Sequence, residues 1–109
     1  MVRFNDPILE RFLKESTDLG IAAIKSIYLF GSRAKGTERP DSDYDLLLVV
    51  TPEFSFEDRD RLYGAVMSVL LSTGRLVSLK IFKESEFKRL CALGTPFMQH
   101  VMTDGIKIG

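Results

Sequence analysis

The chain has 109 residues, of which 45% are apolar, and fifteen basic side chains balance fifteen acidic ones, so its formal net charge is zero. This length fits one domain, residues 1–109, with a core of its own, and the neutral balance argues against general coating of DNA. A lone cysteine, Cys91, excludes an internal disulfide, and without a signal peptide or an apolar run near the roughly 20 residues of a membrane span we expect a cytoplasmic protein.

The first half of the chain predicts one helix and two strands. Asp6 before a proline is a helix start, and an apolar stripe at helical spacing carries the helix to about Gly20. Residues 26–30 form a short aromatic and β-branched strand, and residues 31–43 suit at most one helical turn followed by a loop. Residues 44–50 are almost continuously apolar, which is typical of an interior strand covered on both faces.

The second half predicts a long helix and a third strand. Ser55 with Asp58 three positions later is a weakened capping box, and Gly74 is placed to end the helix that it starts. Residues 76–82 follow as the third strand. Period-two alternation places Ser78 on the polar face of this strand, together with the lysine two positions later.

Two shorter helices complete the predicted chain, one beginning after Ser85 and one running from Thr95 to Gly105. Cys91 in the first is predicted to be a small core residue, and His100 in the second a surface residue. The alternation of helices and strands predicts an α/β fold in which helices are layered on a small sheet.

A Gly-Ser pair stands directly after the first predicted strand. Residues 31–37 read Gly-Ser-Arg-Ala-Lys-Gly-Thr. A Gly-Ser pair that leads from a strand into a helical turn offers backbone N–H groups and a hydroxyl to a phosphate, although a plain turn uses the same residue types. The glycines have P-loop spacing, but the lysine precedes the second glycine, so a Walker A motif is excluded.

Two carboxylates open the second predicted strand. Asp43 and Asp45 are two positions apart, so their side chains point the same way, about 7 Å apart along the strand. Two hard carboxylates suit Mg²⁺ when phosphate oxygens and water complete its octahedron, and two ions about 4 Å apart can bridge such a pair. Solvated loop acids are the alternative for this motif alone. A phosphate-binding turn followed by the acid pair is much more specific.

The two motifs together resemble the minimal nucleotidyltransferases of the DNA polymerase β superfamily, on residues 31–36 and Ser42-Asp43-Tyr44-Asp45-Leu46. The resemblance implies a mixed sheet of at least three strands flanked by helices. It also implies that Gly31 and Ser32 hold the nucleotide phosphates and that the two aspartates bind two Mg²⁺ ions. Such enzymes transfer a nucleoside monophosphate from a nucleoside triphosphate to a hydroxyl acceptor. For this chain we expect ATP to be the nucleoside triphosphate. In the small members of the family, the domain looks like the antitoxin or enzyme half of a pair whose other half is a helical HEPN protein. Some of those antitoxins transfer AMP to this partner.

One position of this chain departs from the family pattern. The family's third carboxylate stands on the strand that follows the two aspartates, and this chain has Ser78 at the corresponding position. A serine neither deprotonates an attacking hydroxyl nor adds negative charge to a metal site, so catalysis is expected to be weakened. Arg33 is expected to contact the triphosphate or the acceptor, with charge balance against nearby acids as the alternative.

We therefore expect a Mg²⁺-dependent nucleotidyltransferase that activates its acceptor hydroxyl poorly. The hydroxyl belongs either to a HEPN-like partner or to another molecule. The alternative is a non-catalytic antitoxin-type module that neutralises such a partner by contact, and a third hypothesis is an unrelated α/β binder of phosphate or cations. The residues leave open the nucleotide, the acceptor and the oligomeric state, a homo-oligomer included.

Overall fold

The computed structural model describes residues 6–35 and 43–109, except the side chains of Ser32 and Lys35. None of the helices in these two ranges has the length and apolar composition to cross a membrane. The helices and strands of the described residues are, in chain order, α1 (Pro7–Asp18), β1 (Ile24–Phe30), α2 (Ser32–Lys35), β2 (Tyr44–Val50), α3 (Phe56–Thr73), β3 (Val77–Lys83), α4 (Glu84–Leu93), α5 (Pro96–Asp104) and β4 (Ile106–Lys107).

The strands form one mixed sheet in the order β3-β2-β1-β4. Strand β1 runs antiparallel to β2 and β4, whereas β2 and β3 are parallel. Helix α3 makes the crossover that a parallel pair requires. The predicted α/β fold with a small mixed sheet flanked by helices is confirmed, and so is the interior position of β2.

Alternation along β2 gives the sheet two different faces. The first, here called the core face, carries Tyr44, Leu46, Leu48 and Val50, which pack with buried residues of α1 and α3 in the larger core cluster. The second, here called the aspartate face, carries Asp45, Leu47 and Val49. Its apolar part is a smaller cluster that α4 and α5 cover with Phe87, Phe97 and Val101. The carboxylate therefore lies on the less extensively covered side of the sheet.

The long central helix has the predicted start and end. The Ser55 hydroxyl accepts a hydrogen bond from the Asp58 N–H at 3.0 Å, and the Asp58 carboxylate accepts one from the Ser55 N–H at 3.0 Å. Gly74 ends the helix in the left-handed conformation at φ 73°. The weakened capping box is therefore a complete one, because the shorter Asp side chain still reaches the backbone.

Three element boundaries differ from the prediction. Strand β1 starts two residues earlier, at Ile24, with irregular pairing before Ser26, and β3 is displaced by one residue. The predicted start of α4 after Ser85 is wrong, because the helix follows β3 directly with Lys83 at its N-cap and no side-chain cap bond. Strand β4 was not predicted. Its two residues form a strand only because they pair with Tyr28 and Leu29 of β1, and a two-residue sequence is too short to predict such pairing.

The predictions for two reactive side chains had different outcomes. Cys91 is only partly buried, and α4 has no fully buried residue. The prediction that Cys91 is a core residue is therefore wrong. Helical spacing predicted an inward side for α4, and on that side Phe87 packs against the aspartate face but stays only partly buried. His100 is on the surface, as predicted, with Nδ1 3.8 Å from the Asp104 carboxylate.

Candidate active site

The turn after β1 lies directly against the carboxylate of Asp45. Phe30, the last residue of β1, pairs with Asp45 across the sheet, so the chain leaves β1 beside this side chain. Gly31 then adopts φ 78°, and a Cβ atom at this position would lie 2.5 Å from Asp45 Oδ2. Only glycine combines this backbone conformation with so close an approach. The fold thus brings the predicted phosphate-binding turn and the predicted acid pair together.

The electrostatic environment of Asp45 is unfavourable to its own charge. Burial raises the pKa of this carboxyl, the nearby negative charge of Asp43 raises it further, and the positive charge of Lys80 lowers it. Asp43 immediately precedes β2 and is exposed, whereas Asp45 is partly buried. A cation bound between the two carboxylates would reverse the repulsion that Asp45 experiences.

Strand β3 places Ser78 next to Asp45. The two residues are partners in the parallel register, so their side chains share the aspartate face. Lys80 is two positions farther along β3 on the same face and is exposed. The position beside Asp45 on β3 therefore offers a hydroxyl, followed by a cation, and no carboxylate.

The donor set fits Mg²⁺ only with help from a ligand. Within residues 6–35 and 43–109, no group of three or more His, Cys, Asp or Glu side chains is placed to hold a metal ion. Two carboxylate oxygens with open positions nevertheless suit Mg²⁺, which keeps waters and takes oxygens from substrate phosphates. Asp43 and Asp45 could hold one Mg²⁺ ion together with a nucleotide. Binding of a second ion stays a prediction.

Arg33 is packed on the other side of β2. Its guanidinium carbon lies 3.9 Å from the centroid of the Tyr44 ring, and its Nη1 lies 3.9 Å from Asp6 Oδ2. Only 12% of the Arg33 side chain is exposed. Tyr44 belongs to the core face, whereas Asp45 points the opposite way. Nucleotide binding by Arg33 stays a prediction, and these contacts are on the side of the strand away from Asp45.

Sequence reasoning missed the contribution of Asp6 and Tyr44. The Tyr44 hydroxyl donates to both Asp6 carboxylate oxygens, at 2.9 and 2.7 Å. Burial, this hydrogen bond and the negative charge of Asp6 raise the pKa of Tyr44 to about 12. Asp6 was identified only as a helix cap, which it is, accepting from the N–H groups of Ile8 and Leu9. No spacing rule links residues 38 positions apart.

Parts of the predicted site lie outside the described residues. They are the side chain of Ser32 and residues 36–42, which include the second glycine of the turn and Ser42. The predicted hydroxyl contact of Ser32 with phosphate therefore stays a prediction.

Comparisons with known proteins identify a family and a shared fold. The family described as polymerase beta, nucleotidyltransferase matches residues 9–108. No curated protein shows a significant match. A solved structure described as a toxin–antitoxin with AMP-PNP is 18% identical, with a TM-score of 0.54 and coverage of 95% of this chain and 72% of that chain. A mutant of the toxin–antitoxin MntA-HpeT is 21% identical, with a TM-score of 0.58 and coverage of 98% and 73%. At these identities, both structures show a shared fold.

Proposed function

The chain belongs to the polymerase beta nucleotidyltransferase family, and from this premise we propose that it transfers a nucleoside monophosphate from a nucleoside triphosphate, ATP in the first instance. The acceptor hydroxyl oxygen attacks the α-phosphorus and forms the new O–P bond. The bond to the bridging oxygen breaks, pyrophosphate leaves, and the hydroxyl proton passes to water. The observation that carries the proposal is the close approach of Gly31 to Asp45, because the turn that we propose to bind phosphate and one of the two proposed metal-binding carboxylates are neighbours.

Each residue of the site has a proposed role. Gly31 and Ser32 present backbone N–H groups to the phosphates, and the missing side chain of Gly31 keeps the approach open. Asp43 and Asp45 would hold Mg²⁺, which when bound neutralises phosphate charge. The repulsion between the two carboxylates favours binding of a cation, since it is relieved only when positive charge arrives.

Ser78 limits this chemistry. A serine hydroxyl beside Asp45 does not accept the acceptor's proton at neutral pH, and loss of a general base typically lowers a rate about 10² to 10⁴-fold. We therefore propose slow transfer that a carboxylate from a partner would accelerate. The second candidate function, which Ser78 itself favours, is a non-catalytic antitoxin that keeps nucleotide binding and neutralises a helical, HEPN-like partner. The toxin–antitoxin descriptions of the two similar structures support pairing with a toxin.

Labelled transfer tests the first function. The purified protein is incubated with each α-³²P-labelled ribonucleoside triphosphate and Mg²⁺, alone and with any HEPN-like protein found to be encoded beside its gene. We expect label on protein or acceptor, loss of label in Asp43→Asn, and retention in Asp60→Asn, an exposed acid on α3. Absence of label in every combination, or full activity of Asp43→Asn, would contradict the proposal.

Ser78→Asp separates the two candidate functions. If transfer is limited by the missing acid, this variant should raise the rate about 10²-fold or more, with Ser72→Asp on α3 as the control. An unchanged rate would contradict the role given to position 78. The non-catalytic function predicts instead a stable complex with the partner that survives Asp45→Ala, which gel filtration of the co-expressed pair would detect.

A further inference from the structure

Three side chains from separate parts of the chain meet at the start of β2, on the core face. They are Asp6 at the N-cap of α1, Arg33 in α2 and Tyr44 in β2, here called the Asp6–Arg33–Tyr44 cluster. Tyr44 is buried, and the exposed fractions of the other two side chains are 27% for Asp6 and 12% for Arg33. A guanidinium over an aromatic ring and a tyrosine hydroxyl on a carboxylate are both oriented contacts. The cluster therefore fixes directions as well as distances.

The cluster lies within one or two residues in the chain of the proposed phosphate-binding turn and of the two aspartates. Arg33 is two residues after Gly31, and Tyr44 stands between Asp43 and Asp45. Because side chains alternate along a strand, anchoring Tyr44 on the core face sets the direction of the Asp45 carboxylate on the aspartate face, and Asp43 directly precedes Tyr44 in the chain. Anchoring Arg33 to the same ring holds α2, and with it the turn at Gly31, against β2.

We propose that Arg33 is a positioning residue of the nucleotide site, which acts through Tyr44 and Asp6 to hold the phosphate-binding turn against the strand of the two aspartates. The inference rests on the proposed function, because it concerns how that site is held. The sequence predicted that Arg33 contacts the triphosphate or the acceptor directly, whereas this inference gives it an indirect role in nucleotide binding. The guanidinium already stacks on Tyr44 beside Asp6, on the side of β2 away from Asp45.

Asp6→Asn distinguishes the two roles by the sign of its effect. Asparagine is also a good N-cap, so α1 keeps its start while Arg33 loses the negative charge of Asp6. A positioning role predicts weaker nucleotide binding, about tenfold, as expected when a supporting contact of a site is lost. If Arg33 contacts phosphate directly, removal of a neighbouring negative charge would leave binding unchanged or strengthen it. Asp58→Asn at the N-terminus of α3 is the matched control, with no expected change in binding.

A double-mutant cycle supplies the second criterion. AMP-PNP with Mg²⁺ is titrated calorimetrically into the wild type, Asp6→Asn, Arg33→Gln and the double variant. The positioning role predicts that each single variant loses about tenfold in affinity and that the double variant loses little more than one of them, because both act through one cluster. Additive losses, or unchanged or stronger binding in Asp6→Asn, would overturn the inference.

A measurement without nucleotide keeps this outcome distinct from failure of the proposed function. If the wild type binds no nucleotide, the proposed function fails, and amide chemical shifts of the free protein then decide the inference. We expect Asp6→Asn to shift the Gly31 amide signal, 25 positions away in sequence, and Asp58→Asn to leave it in place. A Gly31 signal that does not move in Asp6→Asn would overturn the positioning role even though the protein is folded.

Discussion

The two faces of β2 use neighbouring residues in opposite ways. On the core face, Leu46 and Leu48 are fully buried and the one polar group, the Tyr44 hydroxyl, is satisfied by the Asp6 carboxylate. On the aspartate face, the apolar residues are followed toward the start of the strand by Asp45, whose charge is disfavoured by burial and by Asp43. One face of the strand thus stabilises the fold, and the other keeps an unfavourable charge. Such a difference agrees with the proposal that Asp45 binds a cation.

The largest expected effect tests the core face. Leu46→Ala should lower the free energy of unfolding by about 2–5 kcal/mol, because it removes a fully buried side chain from the larger cluster. Leu71→Ala is the matched control, since Leu71 is 80% exposed and should change stability by no more than about 0.5 kcal/mol. Urea denaturation monitored by circular dichroism measures both. Equal effects of the two substitutions would contradict the assignment of the core.

The next effect tests the contact between the two parts of the site. Gly31→Ala should cost about 1–3 kcal/mol for the strained backbone and should also displace Asp45, which weakens nucleotide binding. Gly20→Ala is the control, because Gly20 has φ 67° but a methyl group there would meet, beyond its chain neighbours, no atom of the described residues within 4 Å. It should cost about 1–2 kcal/mol and leave nucleotide binding intact. Calorimetric titration with AMP-PNP and Mg²⁺ makes the comparison, and equal binding by both variants would argue against a site at Gly31.

The smallest effect tests the charge of Asp45. Its pKa is raised in the folded state, so ionisation there costs folding free energy that is absent below the unfolded value of about 3.9 and fully present above the folded pKa. Without Mg²⁺, Asp45→Asn should therefore be at least as stable as the wild type at pH 7. This advantage should vanish as the pH falls below about 3.9. Thermal unfolding from pH 3 to 8 follows it.

Glu84 provides a control of the opposite sign. The hydrogen bond from Lys25 Nζ, 2.6 Å long, lowers the pKa of this exposed carboxyl. The contribution of this ion pair is present above the unfolded pKa and is lost as the pH falls through the folded one. Glu84→Gln should thus reduce stability slightly at pH 7, whereas Asp45→Asn should not. Destabilisation by both variants at pH 7 would contradict a raised pKa for Asp45.

Much of the fold was readable from local patterns. The limits of β2 and the capping box of α3 were predicted correctly, because a continuous apolar run and a Ser-x-x-Asp spacing are complete within a few residues. The start of α4 was not, since the helix begins without a side-chain cap, and β4 exists only through its pairing with β1. Elements that depend on a distant neighbour leave little local signal.

The candidate site divides in the same way. The sequence by itself determined the residue types and their order: a glycine after one strand, two aspartates at the start of the next, and a serine on the third. Only the tertiary structure decided that Gly31 lies against Asp45, that Ser78 pairs with Asp45, and that Arg33 packs on Tyr44 and Asp6. The physical reason is range. Hydrophobic periodicity and capping act over a few residues, whereas the distance between side chains from different segments is set by sheet register and packing.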